Sequence, residues 1–284
     1  MPRSVTQLNI HPLKSGRAIP LDAVDVARDG FAGDRRFMLI DETGAFITQR
    51  ELPALARVEA RGEGSVLHLA KDGAALTLRF DPERRLGVTV WGTTVDAAIS
   101  QPEDDAVLSD WFAKPVRLAH MDARAARLTS ATWTGIPVPV GFADGYPILV
   151  TTTGSLADLN RTLVGTGGEA VGMDRFRTNI LIDCDEPWAE DRWRSIAVGG
   201  IVLDLVKPCA RCIMTTQDQT TGARTGGNPI AGLAEKRMSA DRRVPGVLFG
   251  WNAVARGPGR IALGDPVTVI ERRDAVWPMK RRGG

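Results

Sequence analysis

The sequence predicts a mainly β fold of the α+β type, with an N-terminal β-rich domain packed on a C-terminal β-barrel that carries a few helices. Three observations predict it. Short apolar, β-branched runs recur at close spacing through the first third of the chain. Turn signals rich in Asp and Gly separate them. Only two segments carry helical periodicity. The first domain is placed over 1–120, the second over 121–275, and a basic tail over 276–284. The first strands are free to share a sheet with later ones, so the boundary is the least fixed feature.

The elements follow in order. Val5 to His11 alternates as a strand, and Pro12 to Gly16 breaks it. Arg36 to Asp41 reads as a strand, Asp41 to Gly44 as a turn, and Ala45 to Thr48 as the returning strand. Val66–Leu69 and Ala75–Leu78 flank Lys71-Asp72-Gly73 as a second hairpin, and Gly87 to Trp91 follows as a strand. A helix is predicted over Glu103 to Phe112. Pro102 and three acids suit its first turn, and Val107, Leu108, Trp111 and Phe112 form its apolar face. Residues 123–140 read as a linking loop. Ile148 to Thr151 is a strand. A short helix begins near Ser155, where Ser155 and Asp158 have capping-box-like spacing and Leu156, Leu159 and Leu163 supply the stripe. Asn179–Ile182 and Ile201–Val206 read as buried strands. Gly257-Pro258-Gly259 leads into a closing hairpin over 260–270.

Composition sets the broad class. With 284 residues, 43% hydrophobic and 25% charged, the chain is long enough for a substantial core. A net charge of +2 gives no reason to expect nucleic acid as a partner. No apolar run approaches the roughly 20 residues that span a bilayer, so no membrane association is expected. The N-terminus lacks the apolar core of a signal peptide, and three cysteines are too few for a disulfide-built fold. A cytoplasmic location is the expectation. The basic end Lys280-Arg281-Arg282 is expected to fray.

The segment from Lys207 to Asp218 carries the chemistry. It holds Cys209 and Cys212, two of the three cysteines, at the end of an apolar strand. Four readings compete. The cysteines are structural and partly buried; or they bind zinc, for which Cys184 and the scattered His11, His68 and His120 make a poor ligand set. They form a thioredoxin-like redox pair, against which the β-leaning Ile213 to Thr216 counts. Or one thiolate binds a soft transition metal carried by an organic cofactor, which supplies most of the ligands itself. Candidate anion sites favour the last. Lys14-Ser15-Gly16 lies on a turn after a strand, Gly33 to Arg36 places arginines at a strand entry, and Arg175 to Asn179 does so again. Each alone reads as a solvated cluster; together they suit a phosphate or a planar heterocycle.

These residues carry a family resemblance. Lys207-Pro208-Cys209-Ala210-Arg211-Cys212, followed by Thr215-Thr216, Asp218 and Thr221-Gly222, resembles the MOSC family, named for the C-terminal domain of molybdenum cofactor sulfurase. His11 to Ser15, Gly33 to Phe37, Asp144 to Pro147, Ser155 to Asn160, Arg175 to Asn179, Glu190 to Trp193 and Gly264 to Val267 match in order. The chain is most similar to the branch with an N-terminal β-barrel domain, which includes the mitochondrial amidoxime-reducing component and bacterial relatives. The resemblance covers roughly Thr6 to Glu271.

The resemblance implies an N-terminal MOSC-type barrel, a C-terminal MOSC barrel and a molybdenum cofactor, a pyranopterin with a phosphate tail. It makes Cys212 the metal ligand. Lys14, Ser15, Arg36, Tyr146, Arg177, Asn179 and Cys212 would hold the cofactor between the domains. Arg211 and Lys207 are expected near the Cys212 thiol. The implied reaction reduces N-hydroxylated compounds, N–OH becoming N–H with release of water. Asp218, expected to be catalytic with Cys212, and Glu190 are candidates for delivering protons, each weighed against a structural role. No ferredoxin-type cysteine cluster occurs in the 284 residues, so electrons are expected from a separate ferredoxin- or flavin-type donor. The alternative is a carrier of molybdenum cofactor or sulfur without reductase activity.

Overall fold

The structure is a computed structural model and describes residues 3–280. It is mainly β, with four α-helices among the described residues. An eight-stranded sheet runs in the order Val267–Arg272, Trp193–Val198, Ile201–Ala210, Leu248–Ala255, Ile148–Thr152, Ile180–Ile182, Val5–Ile10, Ile19–Leu21. The first strand of the chain therefore pairs on one side with Ile180–Ile182, a strand read from its second half, and on the other with Ile19–Leu21. Period-two alternation builds this sheet. Along Ile201–Ala210, Ile201, Leu203 and Leu205 are buried while Val202, Asp204 and Val206 are half-buried. Gly199 and Gly200, at φ +55° and +81°, supply the two-residue turn into it, which side chains tolerate poorly. Leu8, Ile180, Trp193, Leu203 and Trp251 lie in the core of this sheet.

Ile148–Thr152 and Ile180–Ile182 are parallel. Parallel neighbours need a long crossover, which the helix Thr153–Gly165 supplies. Its cap is Thr152 rather than Ser155, because the Thr152 hydroxyl accepts from the Ser155 N–H at 3.3 Å. Ser155 lies inside the helix with its hydroxyl turned to the buried Glu190. Leu159 and Leu163 are buried and Leu156 is half-buried.

A six-stranded sheet forms the other half, in the order Phe37–Ile40, Arg117–His120, Thr93–Ser100, Ala74–Val90, Val66–Lys71, Glu59–Glu63. The hairpin over 66–78 forms as expected, and its second strand runs on to Val90. Ala45 to Thr48 makes only isolated bridges, from Phe46 to Ile40 and from Ala45 to Thr89. Thr93–Ser100 and Arg117–His120 lie outside the strands read from the sequence; the first mixes small and polar residues and the second is four residues long with a charge, so their apolar signal is weak. The helix Pro102–Phe112 buries Leu108 and Phe112 but leaves Val107 49% exposed, a narrower face than expected.

Two further expectations change. Gly259–Ala262 and Val267–Arg272 do not pair with each other. The first joins Ala23–Ala27 in a three-stranded sheet, and the second adds to the edge of the large one. The tail is docked as far as Lys280, whose N–H donates to the Met238 carbonyl at 2.7 Å. Trp277 anchors it, packing near Trp251 and Trp133 and donating to Ser239 Oγ. Arg281 to Gly284 lie outside the described residues.

Candidate functional site

One cleft gathers residues from both halves of the chain around a cavity of about 130 Å³. Lys14, Ser15, Arg35, Arg50 and Trp91 come from the first half. Tyr146, Arg177, Cys209, Arg211 and Cys212 come from the second.

The turn after the first strand presents Lys14 and Ser15. The Lys14 N–H donates to the Phe37 carbonyl (2.7 Å) and Gly16 N–H to the Leu13 carbonyl (2.8 Å), which ties the turn to the strand Phe37–Ile40. Lys14 Nζ donates to the Phe142 carbonyl (2.8 Å) and pairs with Asp144 (2.5 Å). Buried Arg127 donates to the Gly141, Ala143 and Asp144 carbonyls and so holds the loop that carries Asp144 and Tyr146. Nothing in the 123–140 segment marked Arg127, because its partners are backbone carbonyls brought to it by the fold.

Arg35, not Arg36, faces the cleft. Arg35 sits at φ +47°, a left-handed residue that turns the chain and sends successive side chains apart. Its guanidinium contacts Asp34, Asn179 Oδ1 (2.9 Å) and the Arg177 carbonyl (3.2 Å). Arg36 instead bonds the Met121 carbonyl and pairs with Asp29 (3.3 Å), lining a separate cavity beside His120. Arg177 donates to the Gly16 carbonyl at 2.6 Å. Asn179 is 1% exposed and its amide is engaged, donating to the Asn9 carbonyl (3.1 Å) and accepting from the Leu149 N–H (3.1 Å) and Arg35. It places Arg35 rather than offering free donors to a ligand.

The strand Ile201–Ala210 delivers Cys209, half-buried, and Cys212 follows as an exposed thiol. Ile213–Thr216 is a single 3-10 turn, not extended. The hydroxyls of Thr215 and Thr216 donate back to the Cys212 and Ile213 carbonyls (3.0 and 2.7 Å) and hold that turn, overriding the β preference of these side chains. Arg211 donates to Cys209 Sγ (3.0 Å), and the cation at Cys212 Sγ is Arg50, at 3.7 Å. Lys207 lies over the Trp133 and Tyr146 rings instead. Arg50 sits on a loop with no motif to mark it.

Asp218 lies outside the cleft lining. It accepts from the Thr220 and Thr221 N–H groups (both 2.9 Å) and pairs with Arg175 (3.4 Å), so it holds its own turn. The Thr221 backbone N–H is the main cause that keeps its carboxyl below the usual range. Glu190 is fully buried, accepting from Thr152 (2.9 Å) and Ser155 (2.8 Å) beneath the crossover helix, and is likewise absent from the cleft lining.

The cleft is strongly cationic. Burial lowers the Lys14 pKa, opposed by Asp144. Burial, then Arg35, lowers that of Arg177. Behind them His11 is held neutral by burial first, then by Arg35 and Arg177. The buried Nε of Arg211 has no hydrogen-bond partner among the described residues. A crowd of buried cations with spare donors suits an anion such as a phosphate. Among the described residues, no group of three or more His, Cys, Asp or Glu could enclose a metal. A metal at Cys212 would bring its other ligands with it. The donor set therefore fits a metal-carrying cofactor with a phosphate.

A mainly β protein with an exposed thiol at a strand end, facing a cationic cleft between its two halves, is the class these features define. A MOSC domain profile matches residues 137–268, and a profile for the MOSC N-terminal beta barrel domain matches residues 3–117. Mitochondrial amidoxime-reducing component 1 of Mus musculus is 30% identical, over 94% of this chain and 82% of that protein. The protein of the same name from Danio rerio is 28% identical, over 94% and 84%. Molybdenum cofactor sulfurase of Danio rerio is 26% identical over 82% of this chain but 30% of that protein's length. The chain belongs to the MOSC family, in the branch that carries the N-terminal barrel domain.

Proposed function

We propose that the protein is a molybdenum-cofactor-dependent oxidoreductase of the cytoplasm that reduces N-hydroxylated compounds. A separate redox protein supplies the electrons. The observation that carries this reading is the exposed Cys212 thiol facing the same cleft as Lys14, Arg35, Arg177 and Arg211. The names of the amidoxime-reducing relatives support the choice of substrate class.

Cys212 would be the protein ligand of the metal, a soft donor suited to a sulfur-rich shell. Lys14, Arg35, Arg177 and Arg211 would hold the phosphate and the polar edge of the pterin. When bound, the cofactor supplies two-electron oxygen-atom chemistry. The chain supplies position and field. Asn179 fixes Arg35, and Arg127 fixes the loop whose Asp144 holds Lys14. Arg50 places a guanidinium at the Cys212 sulfur. In balance, N–OH plus two electrons and two protons gives N–H and water.

The test is elemental analysis and turnover on protein made in a cofactor-competent host. The expected result is near-stoichiometric molybdenum in wild type, loss or altered spectroscopy of the metal in Cys212→Ala, and reduction of a hydroxamic acid by dithionite-reduced methyl viologen. Folded wild type without molybdenum, from a host with verified supply, would sink the reading. Molybdenum without turnover would move it to a cofactor carrier.

A further inference from the structure

Val90 pairs with Thr93, so the turn between Ala74–Val90 and Thr93–Ser100 has two residues, Trp91 (φ +49°) and Gly92 (φ +81°). That turn favours Asn, Asp or Gly at both places, and a bulky side chain at positive φ is an outlier. Trp91 is also 49% exposed, so core packing does not account for it. Glycine would serve the turn better.

What the indole does have is a fixed place on the wall of the Cys212 cleft. Its Nε1 donates to Asp144 Oδ1 (3.0 Å), the carboxylate oxygen that also holds Lys14. Phe46 packs beside the ring, with centroids 5.1 Å apart. The Arg50 guanidinium lies 5.6 Å from the indole centroid and reaches Cys212 Sγ at 3.7 Å. Indole, guanidinium and thiol thus follow one another along one wall.

We infer that Trp91, with Arg50, is the substrate-recognition wall of this cleft, and that it selects planar aromatic N-hydroxylated compounds that are neutral or anionic. The inference rests on the reductase reading. The indole offers an apolar π face while its one N–H is already bonded, so an aromatic substrate meets no unpaired donor. Arg50 adds charged donors for an anionic substituent. Its positive charge disfavours a cation. Strain kept at an exposed turn is explained when the side chain itself is needed. For an aryl hydroxamic acid, the N–O bond breaks and an N–H bond forms. Two electrons from the separate donor and two protons give the amide and water. Trp91 binds and takes no part in that transfer.

The test uses full-length, molybdenum-loaded protein with two probes, benzhydroxamic acid and acetohydroxamic acid, measured by calorimetry and by viologen-driven turnover. Trp91→Gly and Trp91→Asn both suit the turn, so at least one is available in folded form. Wild type is expected to bind the aromatic probe about tenfold more tightly, and either variant to cut that ratio to about twofold. Trp91→Phe should keep most of it. In turnover, the variants raise KM for the aromatic probe more than for the aliphatic one. Arg50→Gln should weaken 4-carboxybenzhydroxamic acid more than the unsubstituted compound. No aromatic preference in wild type, or an equal ratio in wild type and variants, overturns the inference. Aromatic preference lost in the variants, with no turnover of either probe, upholds the wall and refutes the reductase reading. Turnover without aromatic preference does the reverse.

Discussion

Arg35 donates to the side-chain oxygen of Asn179, 144 residues away in sequence, at 2.9 Å. One bond ties the cation cluster contributed by the first half of the chain to the residue that leads into the strand Ile180–Ile182. Asn179 spends its remaining groups on the Asn9 carbonyl and the Leu149 N–H, so the arginine is fixed from a rigid, buried base.

That relationship separates two neighbouring arginines. Arg35→Ala should yield folded protein with substoichiometric molybdenum and pterin. Arg36→Ala, whose guanidinium lies toward Asp29 and Met121, should load like wild type. Elemental analysis of the two variants side by side checks this. Asn179→Ala should also destabilise by about 1–3 kcal/mol, because it leaves buried backbone groups unpaired, as urea unfolding would show.

The cationic cleft should bind inorganic anions before any cofactor is present. Pyrophosphate at 100 times its Kd should stabilise cofactor-free protein by about 2.7 kcal/mol, read as a rise in melting temperature. Arg177→Ala should reduce that rise, and high salt should diminish it by screening.

Asp191 and Arg237 form a buried, two-pronged ion pair (2.7 and 3.0 Å), with Trp251 Nε1 donating to the same carboxylate at 2.9 Å. Arg237→Leu leaves that carboxylate short of its counter-charge and should cost about 3–5 kcal/mol. Denaturant unfolding measures it. The double variant Asp191→Leu with Arg237→Leu should recover much of the loss.

Glu190 sets a pH dependence. Burial first, then Asp191, pushes its pKa up from 4.5 to about 7. The folded state therefore holds a proton that the unfolded chain releases above about 4.5. Its contribution is complete below that pH and is lost as pH rises towards about 7. Glu190→Gln keeps the neutral form. It should match wild type near pH 4.5 and exceed it by a few kcal/mol at about pH 8. Urea titrations at the two pH values decide the matter; equal pH slopes would refute it.

The β-rich class, the hairpin over 66–78, the strand leading into Cys209 and the helix Pro102–Phe112 were legible because each is written in local periodicity and turn chemistry. Cys212, Lys14, Ser15, Arg177 and Asn179 stood out in compact local motifs and Tyr146 through the family resemblance, and the fold gathers all six on one cleft. Sequence alone left other matters open. It did not show which of two adjacent arginines turns inward, because that depends on a left-handed φ at Arg35. It gave no sign of Arg50 or Trp91, whose partners lie 162 and 53 residues away in sequence, or of Arg127, whose partners are backbone carbonyls. It read a closing hairpin where the two strands join different sheets. Periodicity reports what a segment needs to bury; only the packed chain decides which segments meet and which way a side chain faces.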